Sequence, residues 1–374
     1  MNSPITLHPG FATPEGTRRY AAKFAGRAAA GHFRERRGLA ISSIGIGTYL
    51  GESDAATDQG YTDSIVAAVM NGVNLIDTAI NYRLQRSERS VGAALEKLFA
   101  GGFSREELIV CTKAGFLTPD GDMPDDASDY FYREFIAKGI FVAEDIAAGC
   151  HCLAPLYIEN QIERSRRNLG LECIDVFYLH NPETQLGEVP REEFNRRLLA
   201  AMRTAESAVA MGKVRAYGLA TWNAFRNDPH AQDYLSLAEV VSMAREAGGN
   251  ENHFQFVQLP FNLVMPEALV RPNQIVNGKT VSMVQAAREL GITLIASASL
   301  LQSHLAGKVP AMIHGTIGLQ DDLECALQFV RSAPGITTAL VGMKRVEHVK
   351  ANVRLVTIPP TGQEQFRRMF AAAR

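Results

Sequence analysis

The segment Asn74-Leu-Ile-Asp-Thr-Ala-Ile-Asn-Tyr82 combines a short apolar run with a carboxylate and, a little later, a tyrosine. The run Val73-Asn-Leu-Ile76 predicts a buried strand, and a predicted helix over residues 62–70 precedes it and stops at an Asn-Gly pair. Asp77 is therefore expected at the C-terminal end of a strand, with Tyr82 in the loop that leaves it. Because a charged group at a buried strand end needs a partner, a plain salt bridge or helix cap is the alternative to a functional role.

Two later strand-like runs also end in ionisable side chains. Leu108-Ile-Val-Cys-Thr-Lys113 ends in an ammonium group, and Ile174-Asp-Val-Phe-Tyr-Leu-His180 ends in an imidazole. A single strand-end histidine is commonly a hydrogen-bonded core residue. In a parallel barrel, however, the C-terminal ends of all strands open on the face where catalysis takes place. We therefore expect both side chains to lie beside Asp77 and Tyr82.

An ordered set of short motifs, covering roughly residues 33–352, resembles the aldo-keto reductase family. The motifs are Gly45-Ile-Gly-Thr-Tyr49, Asp77-Thr-Ala-Ile-Asn-Tyr82, Thr112-Lys113, Asp175-Val-Phe-Tyr-Leu-His180, Gly218-Leu-Ala-Thr-Trp222, Gln258-Leu-Pro-Phe-Asn262 and Gly342-Met-Lys-Arg-Val-Glu-His348 with Asn352. The resemblance implies an NADP-dependent oxidoreductase that reduces an aldehyde or ketone, or oxidises the alcohol. The alternative is an NADP-binding regulatory or sensor protein of the same type with little turnover.

The alternation of apolar runs and helical patterns predicts an α/β fold of the (β/α)8 TIM barrel class, and 374 residues suit such a barrel with insertions. Ser87 is predicted to cap a helix that runs to about Ala100. Gly45-Ile-Gly47 does not indicate a Rossmann domain, because the next glycine, Gly51, comes one position too late. The barrel strands are predicted at residues 44–48, 73–76, 108–113, 174–180, 214–220, 256–259, 293–297 and 338–341.

We divide the chain into an N-terminal arm, residues 1–32, and a single barrel domain, residues 33–374. The arm is basic and rich in alanine, a composition shared with organelle transit peptides, but we favour an amphipathic arm that lies on the barrel. A hairpin is predicted from Phe33 onwards; in the family it plugs the barrel bottom. Residues 116–157 form a long insertion after the third strand, first acidic and then aromatic. It leaves the functional face, so we expect a lid over the pocket rather than a decorative or disordered loop.

The resemblance implies that Asp77, Tyr82, Lys113 and His180 are the catalytic residues. Tyr82 would act as the general acid or base. A free tyrosine, with a pKa of roughly 10, is a slow acid at neutral pH, so we expect the Lys113 ammonium to lower the pKa of Tyr82. Asp77 would keep that ammonium charged and aimed, and His180 would orient the substrate carbonyl.

By the same resemblance, the cofactor would lie across the strand ends. The family has Ser-Asn after the fifth strand where this chain has Ala220-Thr221, and a ring-stacking tyrosine where it has Ala298. Trp222 or Phe261 is the candidate replacement for stacking. The predicted cofactor contacts are Gly47, Thr48, Thr221, Gln258, Ser299, Leu301, Ser303, Gly342, Lys344, His348 and Asn352.

Lys344 and His348 belong to a cationic segment after the last strand. Such a cluster suits a 2′-phosphate, so NADP(H) is preferred and NAD(H) remains possible. An ordinary basic helix start is the alternative. Tyr49, Asn181 and Trp222 are predicted to line the substrate pocket, but their side chains do not identify the substrate.

The overall charge and the cysteines exclude several classes of protein. The net charge of −2 argues against nucleic acid or a membrane surface as the main partner, and no apolar run is long enough to span a bilayer. Five cysteines without a disulfide spacing indicate a reducing compartment, and we predict a cytoplasmic protein. Cys150-His151-Cys152 lacks a second ligand pair, so no metal site is predicted. A metal-dependent barrel hydrolase is disfavoured because the strand ends lack a set of His and Asp ligands. The oligomeric state is left open.

Overall fold

The computed structural model of the chain describes residues 7–301, 304–305 and 307–371. Eight parallel strands close into one barrel, so the predicted (β/α)8 class is confirmed. Several of these strands are buried along their whole length, as parallel strands covered by helices are. Three two-stranded hairpins lie outside the barrel in the described ranges, so the strands in chain order are β1 (Phe33–Arg36), β2 (Leu39–Ser42), β3 (Ile44–Gly47), β4 (Leu75–Asp77), β5 (Ile109–Ala114), β6 (Ile146–Ala147), β7 (His151–Cys152), β8 (Ile174–His180), β9 (Val214–Ala220), β10 (Phe254–Pro260), β11 (Pro272–Val276), β12 (Lys279–Ser282), β13 (Thr293–Ser297) and β14 (Ile336–Gly342).

The barrel order is β3-β4-β5-β8-β9-β10-β13-β14, with β14 pairing back to β3. Helices cover its outside, mostly one between successive strands. They are α1 (Pro14–Ala22), α2 (Ala55–Met70), α3 (Arg86–Ala100), α4 (Ala127–Phe131), α5 (Pro155–Leu169), α6 (Arg191–Ala210), α7 (Leu237–Gly248), α8 (Glu267–Val270), α9 (Met283–Glu289), α10 (Ala311–Ile317), α11 (Asp322–Ser332), α12 (Val346–Asn352) and α13 (Gln363–Ala371).

Two predicted helix starts were wrong. Helix α2 begins at Ala55, well before residue 62, because the Asp54 carboxylate accepts a hydrogen bond from Thr57 N at 2.7 Å and caps it. Ser87 is not a cap: it lies inside α3, and its hydroxyl donates to Thr48 O at 2.8 Å. That bond instead ties α3 to the segment after β3.

The barrel bottom is closed by the β1–β2 hairpin and by α1. Ile41 of the hairpin is buried in the cluster of side chains that fills the barrel interior. Helix α1 packs against β2, and the Tyr20 hydroxyl donates to Val69 O near the end of α2 at 2.6 Å. Lys23 at its C-terminal end pairs with Glu107 at 2.8 Å. The described part of the arm thus lies on the barrel.

The insertion after β5 has two parts. In its aromatic part, Phe135 and Phe141 are buried, stack on each other at 5.4 Å between ring centres, and contact Tyr157 of α5. Its last part forms the β6–β7 hairpin, where Cys152 N donates to Gly115 O at 2.8 Å. The aromatics therefore belong to the core that covers α5.

Candidate active site

Three neighbouring barrel strands bring the predicted catalytic residues together. Asp77 ends β4, Lys113 lies near the end of β5, and His180 ends β8; these strands pair side by side. Tyr82 follows β4 in a loop whose backbone is held by Lys113 O, which accepts from Ile80 N at 3.1 Å. The four side chains consequently share one end of the barrel.

Lys113 is at the centre of this group. Its Nζ donates to Asp77 Oδ2 at 2.6 Å, to Thr78 O at 2.8 Å and to the Tyr82 hydroxyl at 3.4 Å. The side chain is completely buried. Burial by itself would lower the pKa of Lys113, but the charges of Asp77 and Tyr82 and their hydrogen bonds raise it above its ordinary value. The ammonium is therefore charged at neutral pH.

The pKa of Tyr82 corrects the expectation from sequence. Burial raises it above the ordinary tyrosine value, and the nearby Lys113 ammonium opposes that rise without reversing it. Lys113 lowers the pKa as expected, but the net shift is upward and not downward, because the sequence did not show how deeply the phenol is enclosed. At neutral pH the hydroxyl keeps its proton, which is the form that a general acid requires.

His180 is a neutral imidazole at the same opening. Burial, with Lys113 and His151 nearby, lowers the pKa of His180 well below its usual range. Its ring lies 5.8 Å from the ring of Tyr82 and 5.1 Å from that of Phe116, between centres. The Nδ1 atom is buried without a hydrogen-bond partner in the described part of the chain.

The predicted pocket residues flank this group at the surface. Tyr49 is 56 % exposed and packs edge-on against the ring of Tyr82, with 4.9 Å between centres. Trp222 is 43 % exposed. Asn181 directly follows β8 with a left-handed backbone (φ 44°), and its N–H donates to Ala220 O at 2.6 Å.

Two of the predicted cofactor contacts have free hydroxyls. Thr221, after β9, and Ser299, after β13, are both buried, and neither side-chain oxygen has a partner among the described residues. A buried hydroxyl without a partner is costly, so both suit a bound polar group. That they contact the cofactor stays a prediction.

Other predicted contacts are already used within the protein. Gln258 Nε2 donates to Asp77 Oδ1 at 2.7 Å, and the Thr48 hydroxyl donates to Thr78 Oγ1 at 2.8 Å. Phe261 is fully buried and stacks on Phe329 of α11, so the suggestion that it stacks under a cofactor ring was wrong. Trp222 is the exposed aromatic of the two candidates.

The predicted phosphate-binding segment follows β14. Lys344 is partly exposed and His348 is exposed in α12, while Asn352 at the end of that helix is buried. Partial desolvation of the ring, together with the charges of Arg345 and Lys344, lowers the pKa of His348. Gly60 of α2 contacts this segment so closely that a Cβ on it would lie 2.7 Å from Lys344 O.

The remaining predicted contacts surround the barrel opening. Gly342 lies beside Gly47, its register partner in β3, and Leu301 adopts a left-handed backbone with φ 44°. Ser303 lies outside the described residues.

Two residues next to the predicted ones, Glu183 and Arg83, have environments that the sequence did not indicate. Glu183 is buried, and one of its oxygens accepts from Trp222 N at 2.6 Å and Asn223 N at 3.2 Å. Burial raises the pKa of Glu183 to about 7. Arg83, directly after Tyr82, has a left-handed backbone and donates to Glu52 O at 2.7 Å. Because position 83 holds an arginine and not a glycine, the sequence did not predict this left-handed turn.

The structure also bears on metal and membrane binding. Within the described ranges, no group of three or more His, Cys, Asp and Glu side chains is arranged to hold a metal ion. In the same part of the chain, no helix is both long enough and apolar enough to cross a bilayer.

Two oxidoreductases are similar in sequence to about half of the chain. The chain is 29 % identical over 208 residues to the NADH-specific methylglyoxal reductase of Escherichia coli (strain K12), covering 54 % of each chain. It is 29 % identical over 185 residues to a D-threo-aldose 1-dehydrogenase of Pseudomonas sp, covering 49 % of this chain and 50 % of that one. The chain thus spans about half the length of the curated relatives it matches.

Solved structures share the fold. An aldo/keto reductase from Klebsiella pneumoniae, in complex with NADP and acetate, superposes with a TM-score of 0.61 at 18 % identity, covering 92 % of this chain and 95 % of that chain. A glycerol dehydrogenase from Gluconobacter oxydans gives 0.64 at 17 % identity, with the same coverages. The sequence profile of the Aldo/keto reductase family matches residues 43–314. The chain therefore belongs to the aldo/keto reductase family.

Proposed function

We propose that the protein is an NADP-dependent oxidoreductase that reduces an aldehyde or ketone, or oxidises the corresponding alcohol. The observation that carries this proposal is the contact of the Lys113 ammonium with both Asp77 and the Tyr82 hydroxyl at the open end of the barrel. A proton donor there, beside a buried cation and a neutral imidazole, is what carbonyl reduction requires of the protein.

Each of the four side chains has a separate task in the proposed reaction. Tyr82 gives its proton to the carbonyl oxygen, and the nearby Lys113 ammonium stabilises the phenolate that remains. Asp77 holds the ammonium in place and compensates its charge in the barrel interior. His180 is neutral and lies across from Tyr82, so it can hydrogen-bond the carbonyl oxygen and orient it. The nicotinamide cofactor, when bound, supplies the hydride.

The strand ends offer suitable groups for that cofactor. The unpartnered hydroxyls of Thr221 and Ser299 would bind its polar parts, and Trp222 offers an exposed ring surface. Lys344 and His348 would bind the 2′-phosphate, which favours NADP(H). NAD(H) remains the second choice, because one relative is named as NADH-specific.

A second function, an NADP sensor or regulatory protein with little turnover, has a specific motive. One amide hydrogen of Gln258 is taken by Asp77, and Ala220-Thr221 occupies the positions where the family has a Ser-Asn pair. Weaker positioning of the nicotinamide ring would favour binding over turnover.

A panel of aldehydes and ketones, followed by NADPH absorbance, tests the proposal. Methylglyoxal and simple aldoses should be in the panel, because relatives of this chain are named for such substrates. Turnover that disappears in Tyr82→Phe supports the oxidoreductase. Tight NADPH binding without turnover of any carbonyl would favour the sensor, and the absence of NADPH and NADH binding would reject both.

A further inference from the structure

His151 of the insertion is buried directly beneath the active site. Its Nε2 lies 2.7 Å from the backbone oxygen of His180, and Phe116 packs edge-on against both imidazoles, at 5.0 and 5.1 Å between centres. The ring is completely buried. The Cys150-His151-Cys152 sequence that first suggested a metal thus has another use: its histidine reaches the strand that carries His180.

The hydrogen bonds around His151 define its tautomer. Gln185 Nε2 lies 2.9 Å from His151 Nδ1, and the other end of that amide, Oε1, accepts from Arg197 Nη1 at 2.8 Å. Because the amide nitrogen is a donor, His151 Nδ1 must accept, and the proton must sit on Nε2. His151 Nε2–H therefore donates to His180 O. Burial lowers the pKa of His151 to about 4, so the ring is neutral at physiological pH.

The His151 Nε2–H donor lies where the barrel sheet no longer supplies a backbone N–H donor to the end of β8. The pairing of β5 with β8 ends at Ala114 and Leu179, one residue before His180. At Gly115 the chain leaves the barrel, and a Cβ there would lie 2.6 Å from His180 O and 2.7 Å from His151 Nε2. The glycine thus lets the imidazole approach the strand end, and His151 takes the place of the missing backbone donor.

From these contacts we propose that His151 is a positioning residue for His180, with its ring held in place by Gln185 and Arg197. The insertion therefore contributes to the reaction through the β6–β7 hairpin, by fixing the backbone from which the His180 imidazole projects. The proposal rests on the role of His180 in the proposed function. It differs from a lid, because His151 acts from inside the protein.

Two substitutions separate positioning from general packing. His151→Leu removes the donor, whereas His151→Gln can place an amide N–H close to the position of Nε2. We expect His151→Leu to lower kcat/KM for the carbonyl substrate by about tenfold or more, with the Kd of NADPH changed less than about twofold. His151→Gln should recover most of the loss. Cys150→Ala, next to it in the chain but exposed, is the matched control and should behave as wild type.

A double-mutant cycle then tests whether His151 acts through His180. In a His180→Ala background, adding His151→Leu should change the residual kcat/KM less than about twofold, because the group that His151 positions is gone. Equal losses in both backgrounds, or no rescue by His151→Gln, would overturn the proposal and leave His151 as a packing residue.

Nitrogen NMR of ¹⁵N-histidine-labelled protein gives a readout that needs no activity. At pH 7, His151 should be a neutral ring with its proton on Nε2. Gln185→Leu should keep that tautomer, because the His180 carbonyl can only accept, but should shift the Nδ1 resonance, because that nitrogen loses its donor. A proton on Nδ1, or a doubly protonated ring, would overturn the proposal. If the wild type shows the Nε2–H tautomer but reduces no carbonyl, the proposed function fails while the hydrogen bond from His151 to His180 stands.

Discussion

The Nζ atom of Lys113 lies 3.4 Å from the Tyr82 hydroxyl and 4.8 Å from the centre of the Tyr82 ring. A cation so close to a phenol stabilises the phenolate that forms when the proton leaves. The phenol is protonated beforehand, because burial raises its pKa. Tyr82 is thus an acid whose conjugate base, the phenolate, is stabilised by the Lys113 ammonium.

Tyr82→Phe removes only the hydroxyl. We expect carbonyl turnover to be abolished and NADP(H) binding to stay nearly intact, because the hydroxyl is needed only to move the proton. Single-turnover kinetics and cofactor titration measure the two effects. Tyr132→Phe is the control, since it also removes one phenol hydroxyl and Tyr132 is an exposed residue of the insertion. More than a few per cent of wild-type turnover in Tyr82→Phe would contradict the acid assignment.

Lys113→Met should cut the reduction rate strongly and change its pH dependence. Lys113 lowers the pKa of Tyr82 against the effect of burial, so its loss raises that pKa further. The phenol then stays protonated to a higher pH but gives its proton less readily. We expect the alkaline limb of kcat to move to higher pH at a much lower plateau. Asp77→Asn should show a weaker rate defect, and an unchanged rate in Lys113→Met would reject the tuning role.

Glu183→Gln should change how stability depends on pH. The pKa of Glu183 is raised from 4.5 to about 7 in the folded protein, so the folded state binds the extra proton between those values. Stability therefore decreases as pH rises through this window, by up to about 3 kcal/mol for this one group. Glu183→Gln has no such proton, so its unfolding free energy relative to wild type should improve from pH 5 to pH 8.

Urea unfolding at the two pH values measures this difference. Glu188→Gln, an exposed carboxylate in the same loop, is the control and should show almost no relative change. A Glu183→Gln variant whose relative stability does not change between pH 5 and pH 8 would show that Glu183 is ionised normally.

The strands and the three ionisable residues at or near their ends were predictable from sequence. Each barrel strand is a short apolar run, and a run that ends in Asp77, Lys113 or His180 places an ionisable group at a fixed end of the barrel. The closure of eight such strands then brings the groups together, whatever the connecting loops do.

The rest depended on contacts between distant parts of the chain. The amide of Gln258 bonds Asp77 across 181 positions, and nothing local distinguishes it from an amide left free for a cofactor. From sequence, Glu183 is an ordinary loop carboxylate. Only the structure shows that it is buried and accepts a hydrogen bond from Trp222 N. The direction of the Tyr82 pKa likewise required knowing how far the phenol is enclosed.

Phe135→Ala should destabilise the protein although it lies in the insertion. The ring is buried between Phe141 and Tyr157, and removal of a buried phenylalanine typically costs about 3–5 kcal/mol. Tyr132→Ala, three residues earlier and 56 % exposed, is the control with little expected effect. Thermal or urea unfolding measures both. Deletion of residues 118–148 is consequently expected to impair folding, whereas equal stability of Phe135→Ala and wild type would show that the aromatics are not needed for the fold.

Lys344→Ala should weaken NADPH and leave NADH almost unchanged. A 2′-phosphate adds close to two negative charges, and Lys344 is the partly exposed cation that follows β14. Loss of one charged hydrogen bond costs about 1.5–3 kcal/mol, or roughly ten- to a hundredfold in affinity. Raised salt should likewise weaken NADPH more than NADH, because an exposed phosphate contact is screened.

Isothermal titration of both cofactors against wild type, Lys344→Ala and Lys350→Ala decides the assignment. Lys350 is an exposed lysine near the end of α12 and serves as the control, since it should alter neither affinity by more than about twofold. Equal losses for NADPH and NADH in Lys344→Ala would mean that Lys344 binds the shared pyrophosphate or supports only the helix. Tighter binding of NADH than of NADPH by the wild type would overturn the preference for NADP, because the cationic segment would then have no 2′-phosphate to bind.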